Sequence, residues 1–141
     1  MNINKDIINE RVNKYYWEDD LNCATTVLKT LGSIYEIELE SQIIDSAIGM
    51  HGAGKFGAQC GLVEGALMFI GIWGRKLRCD NRRIVEYCYN FADKFQSNFG
   101  SLLCRELRPQ GFNKDNPPHL CEGMTKKAIE FTCNYINNTI L

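Results

Sequence analysis

An all-α fold, an irregular or orthogonal bundle of five to six helices, is what this chain predicts, and three observations carry it. Apolar residues recur at helical spacing in most segments, no segment alternates convincingly as a strand does, and glycines and capping residues punctuate the helical runs. At 141 residues the chain has the length of one domain with a real hydrophobic core. No repeat and no linker divides it.

The first helix is expected over about residues 4–17, with Ile3, Ile7, Ile8, Val12, Tyr15 and Tyr16 on one face. Asp20 is placed to cap a second helix whose apolar face is Cys23, Ala24, Val27, Leu28 and Leu31, with Gly32 as its stop. A third is expected over about residues 39–48, ahead of a loop with Gly49, Gly52, Gly54 and Gly57 that is too glycine-rich to be helix. The central helix follows over about residues 59–73 and is apolar on most sides. Gly57, Gly61 and Gly65 recur at every fourth position, a spacing that lets another backbone approach closely and would also suit a homodimer.

Asp80 or Asn81 caps a fifth helix with Ile84, Cys88, Phe91, Phe95 and Phe99 as its stripe, ended by Gly100. Ser101 is the expected cap of a short helix to Leu107, placing Cys104 at its third position. Asn116 and Pro117 look like the cap and first residue of a last helix that presents Cys121, Met124, Ala128, Phe131 and Tyr135.

Sixteen basic and seventeen acidic side chains give a net charge of -1, so no global field attracts nucleic acid or an anionic membrane. The N-terminal residues form no continuous apolar signal segment. The longest apolar run, residues 61–74, is shorter than the roughly 20 residues of a bilayer span. A cytoplasmic protein is expected. In that compartment seven cysteines point to metal binding or redox work over structural disulfides.

The glycine loop carries two phosphate-binding lookalikes. Residues 49–55 fit GxxxxGK and residues 52–57 fit GxGxxG. Phe56 stands where a P-loop needs Ser or Thr for magnesium, and both motifs need a preceding strand where this chain reads as helix. A loop that permits close backbone approach is the favoured reading. An anion or nucleotide module using the loop and Lys55 is the alternative.

Cysteine position separates two groups. Cys23, Cys60, Cys104 and Cys121 fall at or near helix starts, where backbone N–H groups and the helix dipole lower a thiol's pKa. Cys88 and Cys133 sit mid-helix, as small buried hydrophobes do, and Cys79 lies in a connection. No CxxC pair occurs, so a site would be assembled from distant segments. Four thiolates suit an iron–sulfur cluster or a tetrahedral zinc ion. Thiol–disulfide exchange is the rival, with Cys60 as attacking thiolate and Cys23, Cys104 or Cys121 resolving it.

The order Asn22-Cys23-Ala24, then the glycine loop into Cys60-Gly61-Leu62-Val63-Glu64-Gly65-Ala66, then Cys104 and Cys121, resembles the redox-active family labelled by its C_GCAxxG_C_C cysteine pattern. The resemblance spans nearly the whole chain and puts the four family cysteines on Cys23, Cys60, Cys104 and Cys121. Gln59 before Cys60, Gly61 after it and Leu62 in place of an alanine depart from the label. The family's likeness to the non-haem part of split-Soret cytochromes implies a cysteine-bound iron–sulfur centre. No CxxCH motif for covalent haem is present.

Around these thiols, Glu64 is a candidate proton carrier and Arg105 a candidate thiolate neighbour, although each also suits an ordinary surface role. His51 and His119 are candidate ligands of the same kind, with a structural role favoured. The basic run Arg75, Lys76, Arg78, Arg82 and Arg83 would suit an acidic redox protein partner or a solvated connection.

Overall fold

The computed structural model describes residues 5–140, so the expectations for Ile3 and Asn4 lie outside the described residues. The fold is all-α, and among the described residues there is no β-strand. The helices are α1 (Lys5–Asn13, continued by a π-helical turn at Lys14–Glu18), α2 (Cys23–Ile34), α3 (Ser41–Ser46), α4 (Gly52–Lys55), α5 (Gly61–Lys76), α6 (Asn81–Phe99), α7 (Cys104–Leu107) and α8 (Glu122–Thr139). The eight helical elements among the described residues exceed the five or six expected; α7 is the expected short helix to Leu107, whereas α4 is a single left-handed turn inside the glycine loop.

Helix α5 is central, as its apolar sequence requires. It buries Leu62, Val63, Ala66, Phe69 and Ile70 and packs on α2, α6 and α8. Helix α6 contributes Tyr87, Phe91 and Phe95, so Tyr87 takes the buried place expected of Cys88, which is half-buried. Phe91, Phe95, Phe99, Phe131 and Tyr135 form one aromatic group, with tilted and edge-on ring contacts between 4.5 and 6.0 Å.

Several helix ends differ from expectation. Asn22, not Asp20, caps α2, its side chain accepting from Thr25 N at 2.8 Å, while Asp20 at φ 50° pairs with His119 at 3.0 Å. Asp80 caps α6 through Arg83 N, and Gly100 ends it in the left-handed region at φ 94°. Ser101 accepts from Leu103 N in a turn, so α7 starts later, at Cys104 itself. Helix α8 starts at Glu122, later than expected, and the Asn116 side-chain amide instead donates to the carbonyls of Gln110 and Gly111. Cys121 is therefore its cap residue.

These corrections bring the four thiols into one register. Cys60 and Cys121 are cap residues, and Cys23 and Cys104 open their helices.

Candidate functional site

The start of α2 is clamped by Asn22. Besides capping, its side-chain amide donates to Ile48 O at 2.7 Å and Ala47 O at 3.2 Å and lies 3.1 Å from His51 Nδ1. Helix α5 meets this corner through glycine. A Cβ on Gly61 would stand 2.3 Å from Cys23 Sγ, and one on Gly65 would stand 2.5 Å from Ala24 O. Absence of those carbons lets the Cys23 thiol rest over the first turn of α5, beside Cys60. The close-approach reading of the glycine repeat thus applies inside the chain. Gly61 and Gly65 are buried there, so the glycine face supplies no argument for a homodimer.

Cys104 reaches the same place by an antiparallel bridge between Gln59 and Leu103. Cys60 N donates to Leu102 O at 2.8 Å and Cys104 N to Ala58 O at 2.7 Å. The glycine loop makes room for it. Gly52, Ala53, Gly54 and Lys55 all have φ between 55° and 71°, a left-handed turn that costs roughly 1–2 kcal/mol at each non-glycine position. Gly54 N to Gly49 O and Lys55 N to His51 O hold this turn. A Cβ on Gly52 would lie 3.2 Å from Cys104 Sγ. Arg105 is in no ion pair among the described residues; its Nε donates to Gly57 O at 2.9 Å.

Cys121 arrives on a turn-rich segment, residues 108–121. Arg108 anchors that segment, its Nε donating to Gly111 O at 2.7 Å and its Nη1 approaching Cys121 Sγ at 3.8 Å. Beyond it, Thr125 donates to Cys121 O through both its N–H and its hydroxyl, and Tyr16 OH lies 2.7 Å from Thr125 Oγ1. The Tyr16 ring stacks on His119 at 4.6 Å, and Trp17 meets His119 edge-on at 5.2 Å.

All four thiols line one cavity of about 560 Å³, together with Tyr16, His51, Lys55, Arg108 and His119. At Cys23, Cys60 and Cys104 the electrostatics reverse the expectation of stabilised thiolates. Burial pushes the Cys60 thiol up to about 11 and the Cys23 thiol further, and the neighbouring thiols raise both again. Helix-start N–H groups act in the expected direction, Leu62 and Val63 on Cys60 and Ala24 on Cys23, but burial outweighs them. Burial raises Cys104 too, with Cys121 adding to the shift and Arg108 opposing it. Ionised together without a counter-cation, these groups repel.

The remaining candidates divide. His51 and His119 both line the cavity, though each has a structural partner in Asn22 or Asp20, and burial followed by the Lys55 charge lowers the His51 pKa. Glu64 turns to the Gln59 amide and does not line the cavity. Cys133 is buried in the core, while Cys79 and Cys88 are half-buried against it. The basic run sits at the far end of α5, roughly 24 Å of helix from Cys60. Sequence reasoning missed Tyr16, Asn22 and Arg108 as parts of the site. Only Asn22 had a local signal, as a strong capping residue directly before Cys23.

A soft four-thiol donor set suits iron–sulfur or zinc chemistry. Among the described residues, however, no group of three or more His, Cys, Asp or Glu side chains is arranged to hold a metal ion. Nor is any helix there long and apolar enough to cross a membrane.

Compared with known proteins, residues 21–135, a span containing all four cavity thiols, match the family model described as "Putative redox-active protein (C_GCAxxG_C_C)". No curated protein and no solved structure matches the chain.

Proposed function

The chain belongs to the C_GCAxxG_C_C family, and from that premise we propose that Cys23, Cys60, Cys104 and Cys121 ligate an iron–sulfur cluster for electron transfer. One observation carries the reading: the four thiols share a cavity in which burial and mutual repulsion disfavour the ionised forms of Cys23, Cys60 and Cys104. A cluster would supply the missing positive charge and a one-electron couple. The same burial weighs against Cys60 as a free attacking thiolate.

The chain's own residues do the holding. The α2–α5 packing fixes Cys23 against Cys60, the bridge at Leu103 fixes Cys104, and Arg108 with Thr125 fixes Cys121. Seven free thiols suit a reducing cytoplasm, and a protein partner would exchange the electrons.

Anaerobic purification or reconstitution, followed by iron and acid-labile sulfide analysis and visible absorption, tests this. Iron and sulfide should be retained, lost on Ser replacement of any of the four cavity cysteines, and kept in Cys133→Ser. A colourless protein free of iron and sulfide would sink the cluster reading. If oxidation then joined Cys60 to Cys23, Cys104 or Cys121, the site would pass to thiol–disulfide exchange.

A further inference from the structure

The thiol cavity holds more positive charge than its walls balance. Lys55, Arg108 and Lys114 line it, and Asp20 is the one acidic residue among the described lining residues. Asp20 is already engaged by His119 at 3.0 Å. None of the three cations is in an ion pair among the described residues.

Two of them converge on one ring. Arg108 Cζ lies 4.1 Å and Lys55 Nζ 5.8 Å from the centroid of Phe112, which also lines the cavity. Attraction to the ring offsets part of the repulsion between two like charges, and neither has an ion-pair partner among the described residues to supply the rest. Arg108 is half-buried and steered by its bond to Gly111 O, so its fork is positioned before any ligand arrives. The left-handed turn serves the same end, since it is the backbone that presents Lys55. A cavity of about 560 Å³ is also of small-molecule size.

From this geometry we infer that the cavity mouth is a binding site for a small oxyanion, a carboxylate or a phosphate-like group, held by Arg108 and Lys55 with Lys114 at the rim and presented to the thiols. The site shares its cavity with the cluster reading and extends it by naming a ligand class; the cations and the ring stand whether or not iron is bound.

Titration calorimetry and Trp17 fluorescence test it, because Trp17 touches the lining residue His119. Phosphate, sulfate and succinate are the probes, with chloride at matched ionic strength as control. At least one probe should bind, with affinity falling as salt rises. Arg108→Gln should weaken binding about tenfold or more, Lys55→Gln severalfold, and Arg108→Lys less than Arg108→Gln. Arg82→Gln, on α6, should leave it unchanged. Preference among the three probes separates the carboxylate from the phosphate-like source. Lys55→Gln guards against a folding artefact, since Lys55 lies outside the 108–121 segment and meets it through the Phe112 ring rather than through a hydrogen bond that holds the loop.

Two results overturn the inference: no binding by any probe up to about 10 mM, the range of weak specific sites, or binding that both Gln variants leave intact. If the variants change iron retention while no oxyanion binds, the cations only balance thiol charge. Iron and sulfide are assayed on the same samples, so oxyanion binding without iron removes the cluster reading and leaves this one standing. Iron without oxyanion binding does the opposite.

Discussion

Two regions deliver thiols to the same cavity by different physics. The α2–α5 contact brings Cys23 and Cys60 together through backbone packing so close that two glycines have no room for a methyl group. The 108–121 segment brings Cys121 through turns, one arginine and a few side-chain bonds, with most of its residues exposed. The first region has core stability and no tolerance for change. The second has tolerance, and its hold on Cys121 is the weaker one. A site assembled this way keeps one wall rigid while the other can adjust.

The largest expected effect attacks the rigid region. Gly65→Ala places a Cβ 2.5 Å from Ala24 O, a backbone atom that moves only if α2 moves. The cost should approach about 3 kcal/mol, the upper part of the overpacking range, and lower the melting temperature by roughly 10 °C. Gly123→Ala in α8 is the contrast, because nothing lies within 4 Å of its added carbon. Helix propensity there predicts a gain of about 0.5 kcal/mol. Thermal melts of the two variants that shifted alike would show that the glycine contact is not the tight one.

A smaller effect follows from the buried thiols of the same region. Cys60 titrates near 11 when folded, against an ordinary value of 9.0, so between those limits the folded chain keeps a proton that the unfolded chain releases. Its contribution is complete below pH 9 and is lost as pH rises through 11. Reduced, metal-free protein should lose about 1 kcal/mol from this group by pH 10, measured by urea unfolding. Cys60→Ser should flatten the slope without abolishing it, because Cys133 is raised to about 11 by burial as well. A stability flat from pH 8 to 10.5 would contradict the burial argument.

What could be read from sequence follows the same division. The existence of α2 and α5 is a local matter, written in the apolar run after Asp20 and in the change from glycine loop to apolar run near residue 59, and the apolar stripes through Leu28 and Phe91 locate the core. The glycine repeat disclosed the close approach before its partner was known. Reading failed where distant residues compete for a side chain. Asp20 looks like a cap but pairs with His119, and Asn116 looks like a cap but serves Gly111 O. The sign of the thiol shifts was equally out of reach, because helix-start effects are written locally and burial is not. Left-handed backbone at Ala53 and Lys55 gave no warning, since neither residue type favours it. Arg108 joined the site only through a loop whose path no periodicity encodes.

The smallest effect tests the adjustable region alone. Gly111 has φ 68°, its added Cβ would touch nothing, and its carbonyl receives both Arg108 Nε and Asn116 Nδ2. Gly111→Ala therefore introduces only backbone strain, about 1 kcal/mol, in the turn that aims Arg108 at Cys121. If the segment opens independently of the helices, that strain should leave the melting temperature nearly unchanged. In the metal-free protein it should raise the alkylation rate of Cys121 about fivefold, while Cys23, locked under Gly61, keeps its wild-type rate. Parallel increases at both thiols would mean that the loop and the α2–α5 contact open as one unit, and the contrast between a rigid and an adjustable wall would fall.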